Sequence, residues 1–380
     1  SKLTGAMPAI DGSALTGIGD GVTKSASDPA IDTNPSGGVG TMWFNTTSGE
    51  MFACTDATTN ENVWYNVGGG TGDVAPYYFG GTISAFTAGG YNPPASNVID
   101  KFSYSSNTTG TDHGDLTVAV NNGAGAQSST NGYHFGGSAG PASTMFNTFS
   151  FASAGNATSV GSIGGGRSSC AGYSSQTDGF YSGGTPASDG AIFKFSFSNA
   201  SSQTAHGSLT SGRYGNGSTS SETHGFKMGG SGSSNIIDKF AFVSNTTAAD
   251  HGDLRSGTSG NHGHSDMING YSSGGSGGAN TTVDKYSFAS NVTAAGHGTV
   301  NTTMAKQNAG LNSTTDGFSC GGVVSSGYSN NIQKFSFASN TSAATHGSLT
   351  YVTGYAGGHS GKTEGYISGG SSSGVNQIQK

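Results

Sequence analysis

Apolar and polar residues alternate with a period of two along this chain, in short runs broken by Gly, Asn, Ser and Thr, a pattern that predicts strands and no helix. In "NIIDKFAF" at 235–242, Ile237, Lys239 and Ala241 fall on one face, and Asp238, Phe240 and Phe242 on the other. Near copies of the same stretch recur as "KFSYSSN" at 101, "KFAFVSN" at 239, "KYSFASN" at 285 and "KFSFASN" at 334. Both faces of such a strand carry apolar groups, so a lone sheet built from it leaves one face uncovered. Neighbouring copies must cover it.

The copies are periodic. A Gly-Gly pair closes "YYFGG", "YHFGG", "FYSGG", "FKMGG", "YSSGG", "FSCGG" and "YISGG", beginning at 80, 136, 183, 229, 274, 321 and 369, with spacings of 56, 47, 46, 45, 47 and 48. Each unit reads as four short strands; from Arg213 these are "RYGNGSTSSE", "THGFKMGG", "NIIDKFAF" and "ADHGDL". A T-x-G-aromatic turn joins the first two, as at Thr177-Asp178-Gly179-Phe180 and Thr315-Asp316-Gly317-Phe318, and its glycine is expected to supply the positive φ of a tight hairpin. Seven four-stranded units imply a β-propeller, with the small-residue strand at the crowded axis and the aromatic strand between blades.

A double glycine ending the second strand, an aromatic strand about ten residues on, and then a pattern leading to Leu and Arg resembles the kelch repeat, the type also found in the galactose-oxidase propeller. The resemblance covers roughly residues 62 to 380. The Tyr and Trp usual after the double glycine are replaced by Phe and His, as at Phe240 and His251, so the repeat is divergent and no kelch partner is carried over.

Residues 1 to about 61 lack the repeat. "LTGAMPAIDGSALTGI" at 3–18 resembles leader segments of bacteriophage tail-fibre and other virion proteins, and "DPAIDTNPSGGVGTMWFNTTSGEMFACTDATTNENVWYNVG" at 28–68 resembles a module of marine tailed-phage structural proteins. Within it "TMWFN", "EMFACT" and "NVWYNV" read as three strands, the first two joined by the Thr47-Ser48-Gly49 turn. The chain stops at "VNQIQK", in the third strand of the seventh unit, and the Trp64 segment at 62–68 is expected to close that blade. The predicted organisation is therefore all-β: an extended virion-attachment leader over 1–38, a small β-meander over 39–68 whose last strand closes the ring, and a seven-bladed kelch-like β-propeller of four-stranded blades over 69–380.

Composition sharpens this picture. Glycine supplies 68 of 380 residues and only 9% are charged, which alone would suit disorder, but 20 Phe and 15 Tyr at regular positions provide surface to bury. The net charge of -7 comes with no run of Lys or Arg, so no nucleic-acid partner is expected. No stretch approaches the length of apolar residues that would insert into a membrane. Cys54, Cys170 and Cys320 show no metal or redox spacing and are expected as free thiols.

Candidate chemistry is sparse. His113, His206, His251, His297 and His346 share one register, each followed by Gly; on separate blades they cannot share an ion, and each is expected to hydrogen-bond within its own blade. His262 and His264 in "NHGH" lie two apart and break the repeat. The 21 acidic residues sit singly in turns, without the paired carboxylates of glycoside hydrolysis, and no G-x-S-x-G precedes a helix. No catalytic, cofactor or metal residues are assigned, and no cofactor is expected. The segments "TISAFTAGGYNPPASN" at 82–97 and "VVSSGYSNN" at 323–331 read as loops on one face of the ring, and their Phe86, Tyr91 and Tyr328 are the candidate ligand-binding residues. An N-x-S/T triplet begins at Asn107, Asn156, Asn199, Asn245, Asn291 and Asn340, and is read as a turn signal between the third and fourth strands.

The phage resemblance implies a non-enzymatic virion structural protein, on the particle exterior, with the leader bound to other virion proteins and the propeller displayed for attachment to a host glycan or surface protein. A homotrimer is implied by the fibre-like leader alone. The competing expectations are an architectural capsid-decoration or tail component and a secreted carbohydrate-active enzyme.

Overall fold

Alternating patterns of the kind seen at 235–242 account for the regular structure in the computed structural model, which describes residues 21–68, 70, 74, 83–91, 94–106, 109–139, 141–186, 190–215, 217–277, 281–300, 309–324, 327–361, 364–370 and 378–380. Strands occur throughout and no helix occurs among the described residues. The chain divides into two compact units, Ser1–Tyr78 and Phe79–Lys380.

In the first unit, β1 (Val22–Ser25), β2 (Met42–Asn45), β3 (Met51–Asp56) and β4 (Val63–Asn66) form one sheet in that order. The three strands expected from the sequence are all present, and the turn between β2 and β3 is held by Asn45, whose Oδ1 accepts from the backbone N–H groups of Thr47 and Ser48 at 2.8 and 3.1 Å. Two expectations are corrected. Residues 22–25 of the supposed leader pair in parallel with β2, so 38 is not a structural boundary. β4 pairs with β3, setting Trp64 opposite Cys54, and Trp64 also bridges Val74; it does not complete a propeller blade. The reason is burial: Trp64 is fully enclosed with Phe52 and Cys54, and Trp43 meets its ring edge-on at 5.8 Å.

The second unit is a seven-bladed β-propeller. Blades two to six span 121–162, 171–208, 217–253, 262–299 and 309–353, each with four antiparallel strands running from inner to outer in chain order. Blade four is typical: Gly217–Ser220, His224–Met228, Ile236–Ala241 and Ala249–Asp253. Blade one contributes Ser84–Tyr91, Ala95–Ser103 and Thr111–Asp115, and blade seven Gly357–Ser360, Gly365–Ser368 and Ile378–Gln379.

The first repeat is corrected in register. Gly89 and Gly90 lie at the C-terminal end of the second strand of blade one with φ of +69° and +125°, matching Gly229 and Gly230, which follow the second strand of blade four, with +69° and +123°. The pair at 80–81 lies outside the described residues, and counting from 89 the first spacing becomes 47, so the anomalous 56 disappears. The segment expected as a long loop at 82–97 instead contributes Ser84–Tyr91 and the start of Ala95–Ser103 to a hairpin of two strands.

Third-strand aromatics glue blades one to six each to the blade before, blade seven preceding blade one in the ring. Phe240 meets Tyr173 edge-on at 5.0 Å, and Phe242 stacks on Phe180 at 4.7 Å. The same contact closes the ring: Phe102 and Tyr104 of blade one pack on Tyr366 of blade seven at 5.2 and 5.3 Å, and the Tyr366 hydroxyl donates to the Tyr104 carbonyl at 2.8 Å. The alternation read from 235–242 is what permits this, because Phe240 faces blade three while Ile237 packs with Tyr286 and Phe288 of blade five.

The glycine of the T-x-G-aromatic turn has a different role from the one expected. Gly132, Gly179, Gly225, Gly270 and Gly317 are not among the positive-φ residues; in each case an added Cβ would overlap the ring of a third-strand aromatic, Phe195 in the case of Gly179. The glycine makes room for the ring. Gly179→Ala should therefore cost about 1–3 kcal/mol through overpacking, read as a lower thermal midpoint, and Phe195→Leu in the same chain should recover part of the loss. An unchanged midpoint for Gly179→Ala would refute the role.

Candidate functional site

The repeated polar residues are consumed by the joints between blades. The outer-strand histidines reach the next blade, not their own: Nε2 of His113, His206, His251 and His297 donates to the carbonyls of Ser150, Ala241, Ser287 and Ser336 at 2.6–2.7 Å. The third-strand lysines lie over second-strand rings, Lys239 at 5.6 Å from the Phe226 centroid, and cap a carbonyl of the next blade, as Lys239 does for Phe288 at 2.6 Å. Their ammonium groups thus have fixed partners in the wall of the ring. Two of the sequon asparagines serve the same joints, Asn156 Oδ1 accepting from the Asp115 N–H and Asn291 Nδ2 donating to the Asp250 carbonyl, whereas Asn199 Oδ1 accepts from the Ser201 hydroxyl within its own blade. Asn107 lies outside the described residues.

Carboxylates are similarly committed. Asp238 accepts from Thr210 of blade three and pairs with the buried Arg213 at 2.6 Å, and Asp284 accepts from the N–H and Nε of Arg255 at 2.9 and 2.7 Å. Arg213 also donates through Nε to the Gly229 carbonyl, where the glycine pair leaves an acceptor without a ladder partner. Arg167 does the same for Gly183, and Thr258 and Thr353 do so for Gly274 and Gly369. No group of three or more His, Cys, Asp or Glu side chains suited to a metal occurs among the described residues.

What remains is the axis. At the start of the inner strands of blades two, three, four, five and seven the backbone passes through the left-handed region, at Asn122, Ser169, Gly215, Gly260 and Tyr355, with φ of +52° to +66°. Four of these positions are linked from blade to blade by three bonds: the N–H of Ser169 donates to the Asn122 carbonyl at 2.8 Å, that of Gly215 to Ser169 at 3.4 Å, and that of Gly260 to Gly215 at 2.7 Å. This collar borders a cavity of about 1140 Å³ to which all seven blades contribute. Glycines, serines and asparagines form much of its wall, and three tyrosines, Tyr214, Tyr328 and Tyr355, add rings.

The electrostatics of the cavity are unusual for an active site. No Asp, Glu, Lys or Arg is among the described residues that line it. Its two histidines, His134 and His262, are pushed down to about 4 by burial, the nearby His264 adding to the effect at His262, so both are neutral at pH 7. The Cys170 thiol at the wall is pushed up to about 11 by burial and stays protonated. The wall therefore offers amides, hydroxyls and aromatic faces without formal charge.

Of the three residues singled out in the sequence, only Tyr328 is placed at this cavity. It begins the third strand of blade six, and a Cβ on Gly354 would come within 2.9 Å of its ring, so Tyr328 packs against the backbone that leads into Tyr355. Phe86 is in a strand; its ring stacks on Phe151 at 4.8 Å and meets His113 edge-on at 4.9 Å, within the joint between blades one and two. Tyr91 ends the same strand, and its side chain lies outside the described atoms. The sequence reading passed over Tyr214 and Tyr355. Their signal was an aromatic in the segment before the inner strand, where blade three has Ser168 and Ser169 and blade five has Ser259 and Gly260. His262 lines the cavity, whereas His264 is buried between blades five and six against Phe335.

No family model matches the chain, and no curated protein matches it. Among solved structures, 392 chains match, which marks an architecture too widely used to imply one activity. One is described as the structure of YjhT: it is 13% identical, with a TM-score of 0.54, over 70% of this chain and 94% of the other. At that identity the similarity bears on the fold, and it agrees with the propeller described above.

Proposed function

We propose that this chain is a non-enzymatic structural protein of a tailed-phage virion, which displays its propeller for attachment to a host surface and takes an uncharged glycan at the axial cavity. The observation that carries the reading is the composition of the cavity wall. Glycoside hydrolysis needs two carboxylates at the scissile bond, and the described wall offers none; binding of a neutral polyhydroxylated ligand needs what the wall does offer. The virion part rests on the leader phrases at 3–18 and 28–68, which resemble phage structural proteins. A rigid ring with its repeated charges already paired suits a surface whose selectivity resides in a few non-repeating residues.

The test has two arms. Immunogold labelling of intact particles should place the protein on the exterior, and purified full-length protein added before infection should reduce adsorption by competition. Absence of the protein from purified particles would end the virion reading. Label on the particle with no effect on adsorption would favour an architectural component instead, and turnover of a polysaccharide by the purified protein would establish an enzyme.

A further inference from the structure

Tyr355 has a placement that its own blade does not explain. It occupies the collar position taken by Asn122, Ser169, Gly215 and Gly260 in other blades, at φ +59°, a backbone conformation that costs a bulky residue and suits glycine or asparagine. Despite this it is 55% exposed, so burial does not compensate the strain. Its neighbourhood is built around it: Gly354 leaves space for the Tyr328 ring on one side, and the chain runs on directly into the inner strand Gly357–Ser360. Tyr214, 40% exposed, lines the same cavity from blade four, three blades away in a ring of seven and hence on the far side of the axis.

We propose that Tyr355 and Tyr214 are the stacking platforms of a saccharide subsite in the axial cavity, with Tyr355 the principal one; this rests on the glycan reading above and names the residues and ligand chemistry behind it. A pyranose ring has a face of C–H groups and a rim of hydroxyls. The π-face of tyrosine carries negative quadrupolar charge and attracts the C–H face, while the rim needs neutral donors and acceptors. Asn122, Ser169 and Ser218 are placed around the cavity to supply these. The absence of charge from the described wall selects neutral hexose or N-acetylhexosamine units over sialylated or sulfated ones. The cavity volume exceeds what one sugar fills, so the subsite takes an oligosaccharide segment, with the strained Tyr355 trading stability for a fixed, solvent-facing ring.

The experiment uses the full chain on a printed array of neutral hexose and N-acetylhexosamine oligosaccharides, with sialylated and sulfated oligosaccharides as controls, followed by titration calorimetry with the strongest neutral binder. Three variants are compared with the parent: Tyr355→Phe, Tyr355→Gly and Tyr214→Ala. Tyr355→Phe should retain affinity within a few-fold, whereas Tyr355→Gly should lose it by at least about 10-fold. Its thermal midpoint should stay equal or rise, because glycine is the residue that blades four and five carry at this position. That combination separates a binding role from a structural one. Tyr214→Ala should weaken binding by a smaller factor. If the parent binds neutral oligosaccharides and Tyr355→Gly binds them equally well, the platform is refuted and the glycan reading stands. If the parent binds only the anionic controls, or nothing on the array, both are refuted.

Discussion

Asp238→Ala should lower the stability of the propeller by about 3–5 kcal/mol, the range expected when one partner of a buried ion pair is removed and the other is left uncompensated. Arg213 and Asp238 are both buried, and the pair is reinforced by Arg213 donating to the carbonyls of Ser211, Lys227, Gly229 and Ile236. A second cation sits beside them. Lys227 is fully buried, with Nζ on the Ser182 carbonyl at 3.2 Å, and burial together with the Arg213 charge pushes its ammonium down to about 7. Asp238 is the carboxylate that offsets this positive cluster, so its loss strands a guanidinium that cannot shed its proton. The chain itself supplies the control. At the same three positions blade two carries Val120, His134 and Asn147, with Asn147 accepting from the N–H and hydroxyl of Thr117 just as Asp238 accepts from Thr210. A triple variant with Arg213→Val, Lys227→His and Asp238→Asn copies that set into blade four and should recover most of the stability lost in Asp238→Ala. Chemical unfolding of the parent and both variants measures the comparison. Equal stability of Asp238→Ala and the parent would mean that the carboxylate does not balance the cluster.

This three-position exchange also shows where the sequence was readable and where it was not. The period of the Gly-Gly pairs and the alternation at 235–242 led to the blade count and to the buried face of each third strand, because both are local patterns repeated several times. Errors arose where a local pattern had a non-local cause. The aromatic-Gly-Gly phrase at 79–81 has the composition of the repeated strand end, and the positive φ of Gly89 and Gly90 identifies the pair that keeps the period. Gly179 looks like a turn glycine, yet the constraint comes from Phe195, sixteen residues on, whose ring lies over it. The Trp64 segment has the composition of a blade strand, but its tryptophan found burial with Phe52 and Cys54 in its own sheet.

The candidate site was less legible for a related reason. A repeat draws attention to what recurs, and in this ring the recurring histidines, lysines and asparagines hold blade to blade. The cavity residues are those that depart from the repeat in the short segments before the inner strands, where Tyr214 and Tyr355 replace small residues. Their convergence depends on the closure of the ring, which brings segments 141 residues apart in the chain to one axis. Tyr328 was found because it stood in an irregular segment. Phe86 was selected on the same ground, but its segment proved to be a strand whose ring faces the next blade.

Acidification should destabilise the propeller steeply between about pH 6.5 and pH 4, because several buried histidines are held neutral. His264 is fully buried between blades five and six; its Nδ1 donates to the Leu311 carbonyl at 3.2 Å, and its Nε2 lies 2.7 Å from the Ser273 hydroxyl, which is itself 2.9 Å from that of Ser319. With Nδ1 as the donor, Nε2 must accept from Ser273, and a second proton would set two donors against each other unless the serine pair turned. Burial pushes this imidazole down to about 4, and it does the same to His134. The sign follows from linkage: above about pH 6.5 both folded and unfolded chains leave the ring neutral, whereas below it the unfolded chain takes up a proton that the folded chain refuses until about pH 4. Each such histidine therefore contributes stability that is complete above pH 6.5 and lost as the pH falls, amounting to about 3 kcal/mol at pH 4. Thermal midpoints at pH 7.5, 6, 5 and 4.5 should fall progressively, with most of the loss below pH 6. His264→Tyr places in blade five the residue that blade three has as Tyr173, whose hydroxyl contacts Ser182 at 3.1 Å, and should make the dependence shallower without changing the fold. A parent midpoint that is the same at pH 5 as at pH 7.5 would show that these rings are not held neutral by the fold, and an unchanged slope in His264→Tyr would remove His264 from the account.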